Sequence, residues 1–236
     1  MKRYTLDELS RMIDHTILKA DATTDEIKGL CQEAIDYHFA SACFNPVKAS
    51  VAGPILAGTD IKACSVVGFP LGQNTIAAKV FETKNALETG ATEIDYVINV
   101  SAAKEGQWEY LAREMAEIVA VCDAAGALSK VIFENCYLTK EEIAKLCEIA
   151  SRVKPSFVKT STGTTSSGAT VEDVAMMAEL TPDEVEVKAS GGVRTAANFI
   201  DMLRAGATRV GASAGIAIIE EIKTTYFASG EEYLEI

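Results

Sequence analysis

The sequence predicts an α/β protein folded as a single (β/α)8 TIM barrel over residues 1–236, with an extra helix ahead of the first strand. Three observations predict it. Short runs rich in Val and Ile alternate with amphipathic stretches, the alternation repeats about every 30 residues, and eight such units fill the chain.

The strands are expected near Ile13–Leu18, Ser41–Asn45, Lys62–Gly68, Glu93–Asn99, Lys130–Glu134, Ser156–Thr160, Glu184–Ala189 and Thr208–Ala212, each followed by a helix. Helix starts are marked by a threonine whose oxygen accepts an orphan N–H, with an acid three residues on: Thr5 with Glu8, Thr23 with Glu26, Thr139 with Glu142, Thr170 with Asp173. The first of these boxes precedes strand one, so its helix is expected to plug the barrel floor. Gly90 and Gly206 stand where left-handed helix ends are wanted, just before strands four and eight. No proline-rich, serine-rich or single-charge stretch interrupts the pattern, so no domain boundary is expected. The same alternation could build an open doubly wound sheet; eight units without Gly-x-Gly-x-x-Gly after strand one favour closure.

A hydrophobic share of 48% with 24% charged residues fits a packed interior and not a disordered or fibrous chain. Lys+Arg 22 against Asp+Glu 34 gives a net charge of −12, which repels phosphate backbones and anionic membranes, so neither nucleic acid nor membrane is expected as a partner. Cysteines at 31, 43, 64, 122, 136 and 147 form no Cys-x-x-Cys pair, and only His15 and His38 accompany them; neither a zinc site nor a disulfide framework is suggested. The first residues lack an apolar signal core, and no run of about 18 apolar residues occurs, so a cytoplasmic location is expected.

In such barrels the reactive groups sit at the carboxyl ends of the strands. Strand six ends Phe157-Val158-Lys159-Thr160-Ser161-Thr162-Gly163 and strand seven ends Val187-Lys188-Ala189-Ser190-Gly191-Gly192, which puts two lysines one βα unit apart on neighbouring strands. Both ammonium groups can then enter one pocket, where each disfavours protonation of the other and one is left as a nucleophilic amine. The alternative is that they point outward to helix carboxylates. Asp95 lies in a segment too apolar to be exposed, and a buried carboxylate needs a lysine partner or a proton-transfer task. Asp14 and Thr16 share a face of strand one, where Asp14 could hold Lys188; His15 should face a helix. Cys43, at the mouth of strand two, is read as pocket lining. Ser190-Gly191-Gly192 and Gly211-Ala212-Ser213-Ala214-Gly215 offer glycines and N–H groups where these barrels hold phosphate.

Taken together, Ile13-Asp14-His15-Thr16, Gly90-Ala91-Thr92-Glu93-Ile94-Asp95-Tyr96-Val97-Ile98-Asn99 and the two lysine segments resemble the deoxyribose-phosphate aldolases. Further matches are Cys43-Phe44-Asn45-Pro46, Val67-Gly68-Phe69-Pro70-Leu71-Gly72 and Gly206-Ala207-Thr208-Arg209-Val210-Gly211-Ala212-Ser213, and the likeness runs from about residue 10 to 220. The resemblance implies a metal-independent class I aldolase that uses no cofactor and reversibly cleaves 2-deoxy-D-ribose 5-phosphate to acetaldehyde and D-glyceraldehyde 3-phosphate, in deoxyribonucleoside catabolism. It assigns the Schiff base to Lys159, the second lysine to Lys188 and the relay carboxylate to Asp95. Substrate contacts are expected from Asp14, Thr16, Cys43, Thr162, Gly163, Gly191, Gly192, Gly211 and Ser213. A homodimer is the default assembly. Three features depart from the family pattern: a polar rim Thr164-Thr165-Ser166-Ser167, Ala214 in place of a second serine, and an end at Tyr233-Leu234-Glu235-Ile236 instead of a terminal tyrosine. A changed sugar phosphate, or binding without catalysis, are the competing readings.

Overall fold

In the computed structural model, which describes residues 2–165 and 167–236, the chain forms a closed barrel of eight parallel strands. The strands are β1 Ile13–Thr16, β2 Ser41–Phe44, β3 Lys62–Val67, β4 Glu93–Val97, β5 Leu128–Ile132, β6 Phe157–Lys159, β7 Glu186–Ser190 and β8 Arg209–Ala212. The helices are α1 Leu6–Ser10, α2 Thr24–Asp36, α3 Ala49–Leu56, α4 Ile76–Glu88, α5 Val100–Lys104, α6 Trp108–Ala124, α7 Lys140–Val153, α8 Val171–Leu180, α9 Ala196–Arg204 and α10 Gly215–Tyr226. Pairing of β1 with β8 closes the sheet, which excludes the open doubly wound alternative.

The local signals act as their chemistry predicts. Thr5, Thr23 and Thr139 form reciprocal capping boxes with Glu8, Glu26 and Glu142, and Thr170 accepts the Asp173 N–H. At the end of α4, Gly90 N–H donates to Leu87 O and Ala91 N–H to Ala86 O; Gly206 and Ala207 repeat this pattern after α9. Strand five is displaced from its expected place because Glu134 takes a left-handed backbone (φ 57°), which stops the strand at Ile132. At the end of strand four, Asn99 is instead the N-cap of α5, its side chain accepting from the Ala102 N–H.

The apolar core lies between sheet and helices. Outward strand residues such as Ile13, Phe44, Val67, Ile94, Val131, Val158, Val187 and Val210 are buried there with Ile27, Leu30, Met115, Ile118, Leu146, Phe199 and Ile218 of the helices. Both strand faces are covered, as parallel sheets require. The inside of the barrel differs: it holds a small apolar cluster of Cys43, Cys64 and Val66, and buried charged side chains share the interior with it.

The N-terminal helix α1 does not fill the floor. Its flanks, Tyr4, Glu8, Arg11 and Met12, form one wall of an open cavity of about 670 Å³ at the amino ends of the strands, where Leu128, Phe157, Glu186 and Arg209 complete the lining. A short antiparallel pair, Arg3–Tyr4 with Leu234–Glu235, ties the chain end to this side. Tyr233 stacks under Arg3, 4.5 Å from guanidinium to ring centre, so it stands at the opposite end from the barrel mouth. Among the described residues no helix is long and apolar enough to cross a membrane.

Candidate active site

Register brings the two lysines together. Lys159 pairs directly with Lys188 across β6 and β7, and Asp95 pairs with Lys130 across β4 and β5. Because inward positions recur every second residue, Asp14, Glu93, Asp95, Lys130, Lys159, Lys188 and Arg209 all project into one interior. Asp95 is the hub. Its Oδ2 accepts from Lys159 Nζ at 2.6 Å and Lys188 Nζ at 2.7 Å, while Oδ1 accepts from Lys130 Nζ at 3.0 Å and faces Cys64 Sγ at 3.1 Å. Asp14 forms an ion pair with Lys188 at 2.5 Å and accepts from Arg209 at 2.7 Å and from the Ser41 hydroxyl at 2.6 Å. Lys130 also pairs closely with Glu93.

Burial alone would raise the pKa of Asp95, but Lys130, Lys159 and Lys188 outweigh it and hold the carboxyl well below its usual range. Asp14 is likewise pushed up by burial and pulled further down by Lys188 and Arg209. For Lys188 the balance runs the other way: burial lowers its pKa, and Asp14 and Asp95 raise it above the ordinary lysine range. Lys188 is therefore held as an ammonium.

Only one of the two lysines reaches open space. A cavity of about 310 Å³ at the mouth is lined by Lys159 together with Thr16, Thr162, Gly163, Gly191, Gly192, Gly211 and Ser213. Lys188, expected beside Lys159 in that pocket, lies beneath it with no exposed surface. Asp14 and Cys43, expected as substrate contacts, are also below the cavity wall: Asp14 is occupied by its ion pairs, and Cys43 packs with Cys64 and Val66. The Cys64 thiol, by hydrogen bonding, holds the Cys43 thiol below its usual range against the opposite effect of burial. His15 faces α2, where Glu33 lies 2.7 Å from its Nε2.

The loops over the cavity depend on absent side chains. A Cβ on Gly191, whose φ is +87°, would stand 2.9 Å from Gly168 Cα and 3.2 Å from Gly163 Cα, so these turns meet backbone to backbone. A Cβ on Gly211 would meet Ser190 Oγ at 2.7 Å and Lys188 Cε at 3.1 Å, so the bare position makes room for Lys188. The start of α10 faces the same space beside Ser213, with Ala214 as an N-cap that makes no side-chain bond.

Sequence reasoning missed several participants. Glu93 sits two residues before Asp95 and so shares its face, while Arg209 is the register partner of Lys188; both spacings were available signals. Lys19 and Arg194 add positive charge at the cavity wall, and Thr164 of the polar rim is part of it; Ser166 lies outside the described residues. Glu134 accepts the Thr162 N–H and so fixes the loop that follows Lys159. As for metal, the donor atoms of Cys43, Cys64 and Asp95 come within 4.8 Å of one another. Lys130 Nζ already stands 3.4 Å from Cys64 Sγ and 3.0 Å from Asp95 Oδ1, so a cation placed there would meet an ammonium.

A closed eight-stranded barrel that gathers its ionisable side chains beneath a cavity at the carboxyl ends of the strands defines the class of (β/α)8-barrel enzymes. A model described as DeoC/LacD family aldolase matches residues 9–222, and the chain belongs to that family. It is 52% identical over 221 residues to the deoxyribose-phosphate aldolase of Lactobacillus acidophilus, covering 94% of this chain and 93% of that one. To the deoxyribose-phosphate aldolase of Caldanaerobacter subterraneus subsp. tengcongensis it is 49% identical, covering 94% and 96%. The solved deoxyribose-phosphate aldolase of Aeropyrum pernix, described as a tetramer, superposes with a TM-score of 0.87 at 34% identity over 93% of each chain.

Proposed function

We propose that the chain reversibly cleaves 2-deoxy-D-ribose 5-phosphate to acetaldehyde and D-glyceraldehyde 3-phosphate through a Schiff base on Lys159, without metal or other cofactor. The observation that supports this above all is that Lys159 lines the mouth cavity while its nitrogen shares one Asp95 oxygen with a firmly protonated Lys188. The relatives named deoxyribose-phosphate aldolase supply the substrate.

The neutral Lys159 amine adds to the C1 aldehyde, and loss of water gives the imine, which as its iminium draws electrons from the neighbouring bond. A base acting through water takes the C3 hydroxyl proton, the C2–C3 bond breaks, and glyceraldehyde 3-phosphate leaves with the new carbonyl. The enamine left on Lys159 takes a proton at C2 and is hydrolysed to acetaldehyde, which frees the amine. Lys188 is the ammonium next to these transfers, and Asp95 aligns both nitrogens. Asp14 acts as the anchor of Lys188. The phosphate is assigned to the N–H groups of Gly191, Gly192 and Ser213, with Arg194 as the nearby cation.

Reductive trapping with acetaldehyde, followed by peptide mapping, tests the reading: ethylation at Lys159 is expected, and its absence would remove the proposal. Turnover of several aldose and ketose phosphates fixes the sugar, because Thr164 alters the rim. A homodimer in the cytoplasm is the accompanying proposal, and analytical ultracentrifugation reads the assembly.

A further inference from the structure

Every strand of the barrel places an ionisable side chain inside it. Asp14 comes from β1, the hydrogen-bonded thiols of Cys43 and Cys64 from β2 and β3, and Glu93 and Asp95 from β4. The cations follow in order around the barrel: Lys130 on β5, Lys159 on β6, Lys188 on β7 and Arg209 on β8. Arg209 donates to Asp14 at 2.7 Å and lies 3.4 Å from both Glu93 oxygens, with its guanidinium over the Phe157 ring at 5.1 Å. Glu93 and Arg209 therefore close the network at the floor, out of reach of the mouth cavity.

Leaving Lys159 aside, three carboxylates (Asp14, Glu93, Asp95) face three cations (Lys130, Lys188, Arg209). Uncompensated charge is expensive in such an interior, so the network is balanced when Lys159 is a neutral amine. We infer that Arg209 and Glu93 are positioning residues that set, with opposite signs, how readily Lys159 gives up its proton. Arg209 acts through Asp14 and Lys188, and Glu93 acts through Lys130; both routes end on Asp95. The inference rests on Lys159 being the Schiff-base lysine.

Removing the Arg209 charge leaves three carboxylates against two cations, which makes Lys159 keep its proton to higher pH. Removing the Glu93 charge does the reverse. Each shift should be about one pH unit, the size expected from a unit charge roughly 10 Å away at an effective dielectric constant of about 20.

The experiment follows the rate of Lys159 ethylation by acetaldehyde and cyanoborohydride against pH, read from the mass of its peptide. The chain is used with its own thiols and again with Cys43→Ser, which removes the thiol that is pulled down. Arg209→Gln should move the midpoint up, Glu93→Gln should move it down, and Arg209→Lys should leave it in place. The double variant Arg209→Gln/Glu93→Gln should return to the wild-type midpoint, because its buried charge is again balanced; if one single variant does not fold, the shift of the other and its reversal in the double variant carry the test. Single variants that shift together or not at all, or a double variant displaced by a full unit, overturn the inference. Failure to ethylate Lys159 in the unsubstituted chain at any pH is a different result, and removes the Schiff-base reading itself.

Discussion

Replacing Asp95 with asparagine is the sharpest single perturbation of this barrel, because the shape is kept while the charge shared by three lysine nitrogens is lost. Lys159, Lys188 and Lys130 stand 2.6, 2.7 and 3.0 Å from its oxygens, and the carboxylate has no exposed surface. An amide can accept at one atom only and turns its own N–H donors toward the lysines. Breaking a buried pair in this way costs about 3–5 kcal/mol. For a chain of this size that corresponds to a fall in Tm of roughly 6–20 °C. Calorimetry at neutral pH measures it, and turnover of the sugar phosphate in the same samples should fall by about 10²–10⁴ as the proton path is lost. The pH dependence has a definite sign. A carboxyl held well below its usual value contributes stability that is complete above about pH 4 and fades as pH falls further, when the unfolded chain binds the proton first. The gap between wild type and Asp95→Asn should therefore narrow below about pH 4. A Tm change of under about 3 °C at neutral pH, or a gap that ignores acid, would refute the role given to Asp95.

Other outcomes follow from the same geometry. Lys159→Ala should abolish both turnover and trapping; residual trapping at another lysine would move the chemistry elsewhere. Lys188→Leu should slow turnover and carry the acid limb of the pH–rate profile upward, since a cation next to the reacting amine is gone, and an unmoved limb contradicts it. Gly191→Ala forces a Cβ to within 2.9 Å of Gly168 at a positive φ, so KM for the phosphorylated sugar should rise more than kcat falls; steady-state kinetics separate the two. His38 lies between Asp7 at 2.6 Å and Asp60 at 2.7 Å, which raise its pKa above 6.5. Its stabilisation is present below that pH and is lost as pH climbs through the raised value. NMR titration should show the late midpoint, and His38→Asn should cost under about 1 kcal/mol, only on the acid side.

Much of the fold was legible because it is written locally. Threonine–glutamate boxes, glycines after helices and strand-length apolar runs each state their element within a few residues, and the spacing of Lys159 from Lys188 matched one βα unit well enough to put them in register. What lay hidden is non-local. Both faces of a parallel strand are buried, so alternation alone does not say which residues look into the barrel, and no local pattern says which acids Lys130 and Arg209 will meet. Closure of eight strands joins them to Asp14, Glu93 and Asp95. The same closure explains why Asp14, Cys43 and Lys188 sit under the cavity instead of on its wall: they occupy the layer next to the carboxylate hub, and the residues one step further along the strands form the rim. The place of Tyr233 depended on a terminal pairing between residues at the two ends of the chain, for which no spacing rule exists.

The tie between Arg209 and Asp14 spans 195 residues and lies on the seam where the last strand meets the first. A ribosome must deliver nearly the whole polypeptide before Asp14 can find its guanidinium, so a nascent chain ending just ahead of residue 209 has Lys188 and Ser41 but not Arg209 to hold that acid, and no eighth strand to close against the first. Ring completion is consequently a late event in biosynthesis.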